Sequence, residues 1–193
     1  SPYGGAAYIA NRDNGLVSLL VGGNLNATSG SGSSSPVLIG SIEGQGSVQI
    51  AAANISLNAN ASFVAVGSKA AAYGASVTML SPGNISFNDS TTNPNGKIFI
   101  GSDSDAVGYP TTVFIEAHGN VTVGSVGGYG ASIGTATSAS NGTSNVSIVA
   151  GPAGYGGNLV INSGGAISGY GGVTLAANNA YGGTGDITVN GGS

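Results

Sequence analysis

A chain of 193 residues with 5% charged side chains and a formal net charge of -4 is long enough for one domain with a real core. Its three cationic side chains, Arg12, Lys69 and Lys97, are too few for a nucleic-acid footprint, and the absence of cysteine excludes disulfides and thiolate metal sites. Glycine occupies 37 positions, yet hydrophobic residues reach 40%, which separates the chain from disordered Gly/Ser-rich sequences that have too little apolar surface to bury.

The elements read in chain order as short β-runs. Ala6 to Ile9 is strand-like, within an N-terminal strand or extension over 1–14. Alternating runs of about five residues then begin near Leu16, Leu25, Val37, Val48, Ile55 and Phe63, and next near Val77, Ile85, Ile98, Val113, Val121 and Ile133. The last ones begin near Val146, Leu159, Ile167, Val173 and Ile187. The longest apolar run, Leu16 to Val21, is far short of the roughly 20 residues a membrane helix needs. Two Ser/Thr-rich segments, 29–35 and 135–144, break the rhythm and are expected as corner loops.

Grouped in threes, the runs repeat. First members (Leu16, Val48, Val77, Val113, Val146, Val173) recur at spacings of 27 to 36 residues. Repetition at that scale is the signature of a solenoid. Within each run the apolar residues alternate, as in Val146-Ser-Ile148, so one face is buried and the other wet. The expectation is a single all-β domain over 1–193, a parallel β-helix of about six three-strand coils. A β-sandwich is the alternative, but it leaves the end-to-end recurrence of hydroxyl or amide, aliphatic, polar, aliphatic without a cause.

The blocks GSVQIAAANISLNANA, GNVTVGS, GNLVINSGGAIS and GGVTLAANN resemble the repeats of filamentous-haemagglutinin-type exoproteins, secreted by the two-partner pathway of Gram-negative bacteria. NPNG, Asn93 to Gly96, followed by Ile98-Phe-Ile-Gly, is similar to a motif of that family's secretion domain. The similarity runs from about Gly46 onward; the family's NPNL motif is missing. The resemblance implies a right-handed β-helix in an extracellular setting. By its own chemistry NPNG reads as a tight turn between two strands.

Candidate chemistry is sparse. Glycoside cleavage needs paired carboxylates, and here Asp13, Glu43, Asp89, Asp103, Asp105, Glu116 and Asp186 are spread along the chain. Glu116 and His118 share a face by alternation, but no third group orients them, so a polysaccharide-degrading enzyme is only a distant alternative and no cofactor is expected. Asp103 and Asp105 are weak candidates for a bound cation. N-glycosylation sequons offer Asn141, Asn26, Asn88, Asn60 and Asn145 as acceptors. Others, at Asn54, Asn84 and Asn120, arise because asparagine opens a strand whose third residue is Ser or Thr.

Tyr3, Tyr73, Tyr129, Tyr155, Tyr170 and Tyr181 each precede glycine, mostly near a corner, where stacked rings would pack on sugars or on a neighbouring chain. Neither terminus carries a helical or charged cap, whereas solenoids need their ends covered. The chain starts with Ser rather than Met, which reads as a processed start and points to secretion. The expected function is a non-catalytic, extracellular structural protein at the cell surface: a filament subunit or adhesin shaft joined to copies of itself end to end. Tyr8, Ile9, Ile187, Val189, Tyr155, Tyr170 and Tyr181 are the candidate inter-subunit contacts, and a glycan-binding adhesin module is the alternative function. Neither nucleic acid nor a membrane span is expected.

Overall fold

A computed structural model of the chain describes residues 5–68, 73–102, 110–135, 144–152, 154–169, 171–178 and 185–191. The first three strands are β1 (Ala7–Asn11), β2 (Gly15–Val21) and β3 (Leu25–Thr28), followed by β4 (Val37–Ser41), β5 (Gly46–Ala52) and β6 (Ile55–Asn58). The middle of the chain forms β7 (Val64–Ser68), β8 (Ala75–Ser81), β9 (Ile85–Asn88), β10 (Ile98–Ser102), β11 (Thr112–Ala117) and β12 (Val121–Val123). The last six are β13 (Ala131–Thr135), β14 (Asn145–Ala150), β15 (Leu159–Ile161), β16 (Gly165–Ser168), β17 (Gly172–Ala177) and β18 (Ile187–Val189).

Every third strand joins the same sheet. Sheet A runs β1-β4-β7-β10-β13-β16, sheet B runs β2-β5-β8-β11-β14-β17, and sheet C runs β3-β6-β9-β12-β15-β18. All pairings are parallel and in register, so the chain is a three-sheet β-solenoid with six strands in each sheet. The expected first members all lie in sheet B, the second in sheet C and the third in sheet A, with Phe63 just ahead of β7. The N-terminal extension supplies β1, the first strand of sheet A. No helix occurs among the described residues, so none there is long and apolar enough to cross a membrane.

Alternation builds the core. In sheet B the inward column Leu19, Ile50, Met79, Ile115, Ile148, Leu175 stacks residue on residue, and in sheet C the column Leu25, Ile55, Ile85, Val121, Leu159, Ile187 does the same. Interior members of both are fully buried, and each buried aliphatic contributes roughly 1.5–3 kcal/mol relative to exposure. Phe87, also fully buried, is the largest of them. Sheet A departs from the simple rule. Its outward column Tyr8, Leu38, Ala65, Phe99 is apolar, and Leu38, flanked by Tyr8 and Ala65, is fully buried without belonging to the inner core. Phe63 meets Phe99 edge to face at 6.3 Å, which extends this outer apolar patch.

The corners explain part of the glycine load. Sheet A strands end in Gly40-Ser41, Gly67-Ser68, Gly101-Ser102 and Gly134-Thr135, and these glycines lie in register. Their φ values run from +103° to +145°, and a Cβ on any of them would come within about 2 Å of a carbonyl oxygen of the next layer (1.9 Å from Gly67 O for Gly40, 2.3 Å from Gly134 O for Gly101). The hydroxyl that follows turns inward to a carbonyl: Ser41 Oγ donates to Asp13 O at 2.9 Å and Ser68 Oγ to Gly44 O at 2.8 Å.

Candidate functional site

The chemistry of this molecule lies at its corners and its two ends. Asparagine opens the strands of sheet C at positions 24, 54, 84, 120 and 158, and Asp186 takes that place before β18. Four of the five steps between layers repeat one clamp. The Asn84 main-chain N–H donates to Asn54 Oδ1 at 2.8 Å, while the Ile55 N–H donates to the Asn84 carbonyl at 3.0 Å. The same pair joins Asn84 to Asn120, Asn120 to Asn158, and Asn158 to Asp186, with side-chain acceptor distances of 2.8, 2.8 and 3.0 Å. At the first step Asn54 Nδ2 donates instead to Asn24 Oδ1 at 2.8 Å. A side-chain oxygen that accepts a main-chain N–H at a strand entrance does what a cap does for a helix: it satisfies a donor that the turn would leave open. The sequons at Asn54, Asn84 and Asn120 therefore have a structural cause.

The other glycosylation candidates differ in their surroundings. Asn26 on β3 and Asn145 at the start of β14 are exposed. Asn60 Nδ2 donates to the Ser29 carbonyl at 3.0 Å, and Asn88 Nδ2 to Asn58 Oδ1 at 2.9 Å. Asn141 lies outside the described residues, as do Tyr3, Tyr170, Tyr181 and both weak cation candidates, Asp103 and Asp105. NPNG is a turn: Gly96 N–H donates to Asn93 O at 3.0 Å, and Asn95 N–H to Asn93 Oδ1 at 2.9 Å.

One acid that looked unremarkable in the sequence is buried. Asp89, 4% exposed, accepts the main-chain N–H of Ser125 at Oδ1 (2.6 Å) and that of Gly130 at Oδ2. It ties the corner between sheets C and A in one layer to the same corner in the next. Its signal was only its place, directly after the outward Asn88. Asp89→Ala leaves two main-chain donors without an acceptor and is expected to cost about 1–3 kcal/mol for each, read as a lower midpoint of chemical denaturation. Asp89→Asn keeps one acceptor oxygen and should lose less.

The candidate acid/base residues lie at the end of β11 and just beyond it. Glu116 ends the outward row of β11, while His118 falls beyond the strand in the next corner, where its ring stacks on Tyr155 at 3.8 Å and 19°. Tyr155 is about half exposed at that corner, between sheets B and C. Tyr73 precedes β8 at a corner between sheets A and B, and Tyr129 precedes β13 between sheets C and A. The three described Tyr-Gly corners therefore face three different edges of the rod and do not form one stripe.

The ends are open. At one, Tyr8 and Ile9 of β1 are 51% and 50% exposed; at the other, Ile187 and Val189 of β18 are 46% and 68% exposed. Ile9, Ile187 and Val189 belong to inward columns whose interior members are buried. Tyr8 belongs to the outward column of sheet A, and Tyr155 sits at a corner one layer in from β18. A comparison with family models, with curated proteins and with solved structures gives no match. The architecture is compatible with β-helix repeat proteins.

Proposed function

We propose that the protein is a non-catalytic structural rod of the cell exterior, a filament subunit or the shaft of a surface adhesin, whose copies join end to end by continuing the three sheets. The observation that carries this reading is the stack itself, three parallel sheets in which every strand pairs in register with the one a layer away. The first and last described layers carry exposed aliphatic side chains, Ile9, Ile187 and Val189, in columns whose interior members are buried. A strand edge and an apolar face exposed together are a template for another β layer, through main-chain hydrogen bonds and burial. The stacking of His118 on Tyr155 supports a structural rather than an acid/base role for that corner. The repeat blocks that resemble filamentous-haemagglutinin-type exoproteins, on a three-sheet solenoid, support the extracellular setting.

The test is negative-stain electron microscopy with sedimentation velocity across a concentration series. Unbranched rods that lengthen with concentration are expected. Monodisperse single particles at every concentration, retaining a β circular-dichroism spectrum, would sink the reading.

A further inference from the structure

We propose that the edge of the rod between sheets C and A carries a saccharide-binding cleft, and that its ligand is a sugar ring bearing a negative charge, the uronic-acid class. The site stands whether or not rods join end to end.

The cleft comes from unequal corners. The corner from β6 to β7 spans only 59–63, whereas the same corner spans 29–36 in the layer before and 89–97 in the layer after. Stacking holds the strands in register, so the two longer corners stand out as walls and the short one lies between them as a floor. The recess has a volume of about 340 Å³. That is at the small end of the roughly 300–1,000 Å³ of ligand pockets. Ser33 borders it from one wall, Pro94 and Asn95 from the other, and Ser62 from the floor. NPNG thereby gains a use beyond reversing the chain: its internal hydrogen bonds fix a wall and leave the Asn95 residue exposed to the cleft.

The aromatic and cationic groups follow from the register. Phe63 and Lys97 hold the same position in adjacent layers, one residue before β7 and β10, and Phe99 lies two residues beyond Lys97 on the same outward face. All three are half-buried and border the recess, with the two rings edge to face at 6.3 Å. The Lys97 stem passes Gly130 of the next layer, where a Cβ would lie 3.9 Å from its Cγ and Cδ. Among the described residues no carboxylate lies within ion-pair distance of its ammonium.

These groups select a ligand class. Aromatic rings are negative on the face, which suits the apolar C–H face of a pyranose. The Asn95 amide and the Ser33 hydroxyl each offer a donor and an acceptor to ring hydroxyls. Lys97 supplies a positive charge in a chain of net charge -4, and a neutral ligand would cover it without pairing it. An extended peptide fits less well. Both edges of β7 are already paired, with β4 and β10, so no main-chain groups are left for an added strand. The walls stand two layers apart, about 10 Å, which is room for a single ring.

Titration calorimetry of the parent protein with a uronic-acid tetrasaccharide tests the site. The uronic-acid monomer, a neutral tetrasaccharide of the same linkage and a poly-glutamate peptide are the comparisons. The acidic tetrasaccharide is expected to bind at least about tenfold more tightly than the neutral one, with an advantage that shrinks as salt rises. The monomer separates a free sugar acid, bound as well as the oligomer, from a polysaccharide chain, for which the oligomer is preferred; either result supports a charged sugar ring. Lys97→Gln should bring the acidic sugar down to the neutral level. Ser33→Tyr, on an exposed wall, should fill the recess and abolish binding of both while circular dichroism stays unchanged. Equal affinity for poly-glutamate or for the neutral sugar overturns the ligand class. Undiminished binding in both variants overturns the site. If the parent binds no acidic sugar at millimolar concentration the proposal fails outright, and the assembly of rods is untouched by that result.

Discussion

Gly101→Ala is expected to cost about 2–6 kcal/mol, a large part of the stability of a domain of this size. Two terms add. Alanine at φ +117° adopts a backbone region that L-residues rarely occupy, at about 1–3 kcal/mol. Its methyl would also sit 2.3 Å from the carbonyl oxygen of Gly134 and 3.0 Å from Thr111 Cγ2. Overpacking of that kind costs typically about 1–3 kcal/mol. Relief by backbone movement is poor, because Gly101 is hemmed between Gly67 and Gly134 in the same column. Set against a total stability of about 5–15 kcal/mol, the loss is large. The control is Gly22→Ala, at a corner with no neighbour within 4 Å of the added carbon and no positive φ. There the substitution should be neutral or stabilise by up to about 1 kcal/mol by restricting the unfolded chain. Equilibrium denaturation of both variants reads the difference, and a Gly101→Ala protein as stable as its parent would show that the glycine column does not need its glycines.

The second large effect is on assembly rather than folding. Val189→Lys should leave the single rod nearly as stable as before, within about 1 kcal/mol, because Val189 is 68% exposed on the last strand. In an end-to-end junction the same position closes over the column Ala27, Leu57, Phe87, Val123, Ile161. An ammonium buried there has no counter-charge, and the several kcal/mol this costs correspond to a loss of association of at least about a hundredfold. Thr188→Lys, next to it but on the outward face, should assemble almost as the parent does. Sedimentation velocity of the two variants at equal concentration separates them; equal loss in both would indicate general charge repulsion and not a closed column.

These predictions rest on features that were unequally visible in the sequence. The order of strands was legible from first to last, since alternation in runs such as Ile55-Ser-Leu57 is a local property and shows which residues point inward. The strands that carry Tyr8, Ile9, Ile187 and Val189 were legible too, from their β-forming residues. The asparagine ladder was half visible. Asn54, Asn84 and Asn120 were conspicuous as sequons, but their purpose depends on a partner about 30 residues away in the next layer. The Gly-Ser endings of sheet A strands recur plainly, at Gly40-Ser41, Gly67-Ser68 and Gly101-Ser102, yet only a stacked backbone reveals that the missing Cβ makes room for the carbonyl of the following coil. Asp89 carried no pattern at all.

By itself the sequence determined that this chain is a β-solenoid of three-strand coils: apolar residues alternating at period two and recurring every thirty or so residues leave few other ways to bury one face of every strand. Only the tertiary structure decided which side chains meet across the coils. Corner lengths vary along the chain, and stacking absorbs that variation by holding the strands in register and letting the corners bulge. Contacts between layers, such as Asp89 with the Ser125 and Gly130 amides or His118 with Tyr155, therefore follow from register and not from any fixed spacing along the chain.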